Sequence, residues 1–79
     1  MEAKKTILVI DDEPHILLGL RDALTFEGYR VVTATNGKEG LALSRAERPN
    51  VVLLDLMLPD MNGYQICEEL RRQDAFVPV

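Results

Sequence analysis

Three short apolar runs, "TILVI" (Thr6 to Ile10), "RVVTA" (Arg30 to Ala34) and "VVLLD" (Val51 to Asp55), alternate with segments whose apolar residues recur at helical spacing. This alternation constrains the fold more than any other feature. Strands interleaved with helices pair in parallel through right-handed crossovers, and the helices cover the faces of the sheet. The runs are continuous rather than alternating in polarity, as expected of strands covered on both faces. The first helix is predicted from Pro14, which suits a first helical turn, through Ile16, Leu17, Leu20, Ala23 and Leu24 to a stop at Gly28. Asn36, with Glu39 three residues on, has capping-box spacing for a second helix whose apolar side carries Leu41 and Leu43, and Pro49 and Asn50 punctuate its end. A turn-rich loop, "LPDMNG" (Leu58 to Gly63), leads to a third helix with Ile66, Cys67 and Leu70 on one face. Pro59 and Gly63 read as conformational residues of that turn, and the terminal "FVPV" reads as the opening of a fourth strand.

In parallel sheets of this type, ligands bind beyond the carboxyl ends of the strands, where the strand order reverses. Asp11 and Asp12 lie just past the first strand, followed at once by Glu13, and Asp55 closes the third. If those strands are neighbours, the three aspartates share one cleft. Clustered carboxylates resist ionising together unless something compensates them. A hard divalent cation such as Mg²⁺ would do so, since it accepts one or two carboxylates and a phosphate oxygen. Asp55, alone on its strand end, is then the candidate nucleophile for phosphoryl transfer, with Asp11 and Asp12 as metal ligands. The plainer alternative is structural. Acidic residues at a helix N-terminus contribute about 0.3–1 kcal/mol each, so "DDEP" alone reads as a helix cap, and Asp55 alone reads as a turn residue. Only the pairing of the two strand ends favours a site.

Composition narrows the function classes. The 79 residues are 47% hydrophobic and 28% charged, with a net charge of -4, which is ordinary for one globular domain. A chain of this length buries only about 60% of the surface its unfolded form exposes. The nine Lys and Arg are scattered, which argues against nucleic acid as a partner of this segment. Cys67 is the only cysteine, and no long apolar run or leader is present, so the chain reads as soluble, cytoplasmic and without a membrane partner. His15, Lys38 and the Arg71–Arg72 pair read as solvated helix residues, and Cys67 as core packing. Met57, Met61 and Tyr64 are expected to flank the cleft.

The segments "ILVIDDEPHIL", "TATNGKEGL" and "PNVVLLDLMLPDMNGYQICEELR" together resemble the receiver domains of two-component response regulators. The resemblance covers nearly the whole chain. It implies a flavodoxin-like doubly wound α/β fold, here β-α-β-α-β-α with strand order 2-1-3 and without the last two strand–helix units. It also implies Asp55 as phosphoacceptor, and Mg²⁺ bound by Asp11, Asp12, Asp55 and the main-chain carbonyl of Met57. A sensor histidine kinase or phosphotransfer protein would be the partner. Family members continue to a strand 4 ending in Ser or Thr and a strand 5 ending in Lys, whereas this sequence ends at Val79. Residues 1–79 are accordingly expected to form a truncated receiver domain, impaired in switching and at most capable of self-phosphorylation and dephosphorylation. Strand and face surfaces bared by truncation would favour a homodimer, and a non-switching interaction fragment is the alternative function. A phosphohydrolase with Asp11 as nucleophile fits less well, because such enzymes usually have an Asp where this chain has Glu13.

Overall fold

A computed structural model describes residues 4–55 and 57–73. Three strands and three helices alternate: β1 (Thr6–Ile10), α1 (Pro14–Phe26), β2 (Arg30–Ala34), α2 (Gly37–Glu47), β3 (Val51–Leu54) and α3 (Gly63–Gln73). The sheet is parallel in the order β2-β1-β3. This is the partial doubly wound α/β fold expected from the sequence. The "FVPV" segment, read as the start of a fourth strand, lies outside the described residues.

Side chains of β1 alternate between two cores, as the two-residue period of a strand requires. Leu8 and Ile10 join Ala34, Val52, Leu58, Ile66 and Leu70 in the larger cluster, under α2 and α3. Ile7 and Val9 join Leu17 in a smaller cluster under α1. Ile66 and Leu70 occupy the predicted face of α3, and Leu41 and Leu43 pack from α2. Cys67 is half-buried and belongs to neither cluster, so its expected core role is only partly met.

Local chemistry sets the helix ends. Pro14 opens α1, Glu13 caps it by accepting the His15 amide, and Gly28, at φ 97°, turns the chain away after Phe26. Asn36 Oδ1 accepts the Glu39 amide at the start of α2. Arg48, rather than Pro49 or Asn50, adopts the left-handed conformation that ends α2. Asn50 instead fastens the amino ends of β1 and β3 together: its amide donates to the Thr6 carbonyl, and its Oδ1 accepts the Thr6 amide. Gly63 needs no left-handed angle. It is a buried first residue of α3, and the turn before it is held by an antiparallel Met57–Asn62 bridge. The side chains of Asn62 and Gln65 accept each other's backbone amides reciprocally. This is a capping box with the N-x-x-Q spacing visible in the sequence.

Candidate functional site

The carboxyl ends of β1 and β3 are brought level by the register of the sheet. Ile10 pairs with Leu54, so the next residues, Asp11 and Asp55, fall side by side. Two amides hold the strand ends in place: Asp11 N–H donates to the Ala34 carbonyl at 3.1 Å, and Asp55 N–H donates to the Ile10 carbonyl at 2.9 Å. Strand β3 itself ends at Leu54, one residue before the predicted limit, but this last amide keeps Asp55 on the ladder.

Asp11, Asp12 and Asp55 each offer a carboxylate oxygen, and all three oxygens lie within 4.8 Å of one another. Asp11 and Asp55 are half-buried and Asp12 is exposed. The helix-cap alternative accounts for only part of this arrangement. Glu13 does the capping, Asp11 Oδ1 accepts the Glu13 amide at 2.9 Å, and among the described residues no hydrogen bond reaches the Asp12 carboxylate. Asp55 Oδ1 accepts the Met57 amide at 3.0 Å, which orients the carboxylate and leaves Oδ2 without a protein donor among the described residues. A cluster of hard, incompletely satisfied oxygens is a donor set that suits Mg²⁺. Met57 follows Asp55 at close range and is 84% exposed. Beside the acids, a groove of about 340 Å³ runs between α1 and β3, lined by Ile10, Asp11, Ile16, Leu20, Leu53 and Asp55.

One residue of this region carries no distinguishing mark in the sequence. Asp60, in the loop after Asp55, accepts the Gly37 amide at 2.7 Å through Oδ1 and the Lys38 amide at 3.0 Å through Oδ2. It thus caps α2 from a segment 22 residues further along the chain. The Gly37 amide, and after it the Lys38 amide, hold the Asp60 carboxyl below its ordinary value of 3.8 by stabilising the charged form. Its only signal is its place in a turn-rich loop, which does not name a partner. His15 is exposed, as expected, and its backbone amide donates to the Glu13 carboxylate. Tyr64 is exposed, and Met61 packs against the larger core.

No helix among the described residues is long and apolar enough to cross a membrane. Residues 7–79 match the family model of the response regulator receiver domain. The probable transcriptional regulator ycf27 of Porphyra purpurea is 49% identical over 76 residues, which is 96% of this chain and 31% of that relative. The chain therefore spans about a third of that relative's length. A CheY-like receiver domain protein from Methanospirillum hungatei JF-1 has the same fold, with a TM-score of 0.92 and 37% identity over 95% of this chain and 60% of the other. Response regulator TrrA of Thermotoga maritima, solved in complex with Mg²⁺-BeF, gives a TM-score of 0.85 at 38% identity over 90% of this chain and 62% of its own. With sheet order, acidic strand ends and family match in agreement, this chain belongs to the receiver domains of two-component response regulators.

Proposed function

We propose that residues 1–79 act as a phosphoacceptor module that takes a phosphoryl group on Asp55 from a sensor histidine kinase or phosphotransfer protein. The observation that carries this reading is the convergence of Asp11, Asp12 and Asp55 oxygens within 4.8 Å from two strand ends. Asp11, Asp12, Asp55 and the Met57 carbonyl would hold Mg²⁺, which when bound supplies positive charge to offset that of the phosphoryl group. The chain's own part is positioning. The Met57 amide holds Oδ1, so Oδ2 of Asp55 is left for the donor. A bond forms from that oxygen to phosphorus as the phosphorus–nitrogen bond of the phosphohistidine breaks, and the leaving imidazole takes up a proton. The Mg²⁺-BeF complex of TrrA, at 38% identity, supports the metal assignment. The name of ycf27, a probable transcriptional regulator, supports transcription as the process this module controls through an output region or partner. Intact-mass measurement after incubation with acetyl phosphate and Mg²⁺ tests the reading. One phosphoryl group should be gained by the wild-type chain and none by Asp55→Ala. No gain, or a gain that persists in the variant, overturns it.

A second reading, an interaction module that pairs with another copy of itself, is favoured by the α1 face of β3. Leu53 is 38% exposed there and borders the apolar part of the groove. A dimer covering this face removes Leu53 and Ile16 from water. Sedimentation at micromolar concentration should then show a dimer, and a folded monomer rules this reading out.

A further inference from the structure

The first-turn amides of α2 are satisfied from two sources. Glu39 and Gly40 donate to the side chain and carbonyl of Asn36, which is local. Gly37 and Lys38 donate to Asp60, which belongs to the loop that begins at Asp55. An apolar contact closes the same junction. A Cβ at Gly37 would sit 2.9 Å from Met61 Sδ, 3.0 Å from Met61 Cβ and 3.1 Å from Ile66 Cδ1. The loop and the head of α2 therefore interlock, with Asp60 as the polar clasp and the bare backbone of Gly37 as the seat for Met61. On its other side the loop is closed by the Met57–Asn62 bridge, and Met57 is bonded to Asp55. A continuous series of short contacts thus runs from the α2 amides through Asp60 and the 57–62 bridge to the Asp55 carboxylate.

We propose that Asp60 is a positioning residue for the acidic site: by clasping the head of α2 it fixes the loop that presents Asp55 and the Met57 main chain to a divalent cation. This inference rests on the Asp55 reading above and deepens it. Groups that orient metal ligands from outside the ligand shell typically change affinity by about 10–100-fold when removed. Asp60 acts through one loop, so the low end of that range applies.

The test compares the full chain with Asp60→Ala, Asp60→Asn and Asn50→Ala, each measured for Mg²⁺ affinity by calorimetry, for phosphoryl gain from acetyl phosphate, and for urea stability. Asn50 fastens the opposite end of the sheet, so its variant loses stability without touching the loop. Asp60→Ala should weaken Mg²⁺ binding about 10-fold. Asp60→Asn keeps one acceptor and should fall between it and wild type, and Asn50→Ala should leave the affinity unchanged. If Asp60→Ala does not fold, Asp60→Asn decides. Affinities of both Asp60 variants within about twofold of wild type overturn the inference. So does an Asn50→Ala variant as impaired as they are, since that would reduce the effect to general stability. A wild-type chain that takes up neither Mg²⁺ nor phosphoryl overturns the Asp55 reading and this inference together, whereas normal wild-type uptake with indifferent Asp60 variants overturns this one alone.

Discussion

The two faces of the sheet are built to different depths. Under α2 and α3, seven buried residues from five segments interlock, and Ile10, Val52 and Ile66 are wholly shielded from water. Under α1, Ile7, Val9 and Leu17 are the buried cluster among the described residues, with Leu20, Leu24, Val31 and Val51 partly covered. Among the described residues, two helices cover the first face and one the second, and the difference in depth follows from that. Helix α1 packs near the β1 and β2 side of its face, and Leu53 of β3 is left exposed. The deep face holds the larger core, and it is also the face whose α2 head receives the Asp60 clasp. The shallow face borders the open groove beside the acids.

That contrast can be broken by mutation. The largest effect is expected from Ile66→Ala, which should lower stability in urea unfolding by about 2–5 kcal/mol, because the surrounding residues cannot collapse into the space. Leu17→Ala on the shallow face should cost less, since α1 can settle toward the sheet. Equal losses would show that the faces are packed alike.

Gly40→Ala sharpens the comparison from the opposite direction, by overfilling. The added Cβ would lie 2.4 Å from Ile10 Cδ1 and 2.8 Å from its Cγ1, so helix or side chain must shift, at about 1–3 kcal/mol. Leu53→Thr removes apolar surface that is already partly wet and places a β-branched residue in the strand. The expected loss is below about 1 kcal/mol, small beside the about 1.5–3 kcal/mol for a fully buried leucine. A larger loss would mean that Leu53 is covered in solution, as the dimer reading requires.

The Asp60 clasp adds a pH signature confined to the deep face. Its carboxyl is held below the ordinary 3.8 in the folded chain, so its stabilising contribution is fully present above that pH. The contribution is lost as the pH falls through the lower folded value. The difference in urea midpoint between wild type and Asp60→Asn should be constant above pH 3.8 and shrink below it. A difference that grows on acidification would contradict the clasp.

Most of the elements are legible residue by residue. Pro14 and Gly28 bracket α1, Asn36 caps α2, and the apolar runs mark the strands to within one residue. The candidate site is legible in part. Asp11, Asp12 and Asp55 stand out as acids at strand ends, but their meeting depends on β1 and β3 being neighbours, which the family resemblance implies and periodicity alone does not. The Asn62–Gln65 capping box is present as a spacing, though the turn residues around it give no reason to prefer it. Cys67 lies on the expected helix but not at the expected depth, because spacing gives direction around a helix and not distance from the core.

By itself, the sequence determined the alternation of strand and helix, the helix starts and the acidic strand ends. Each of these depends on residues within about one helical turn of one another. Tertiary structure decided the rest. The register that sets Asp11 level with Asp55 arises from pairing between strands, and the unequal depth of the two faces arises from which helices share a side. The bond from Gly37 to Asp60 spans 23 residues. A carboxylate in a loop carries no local mark of which amides it will meet, so that contact exists only once the sheet has brought the loop and the head of α2 together.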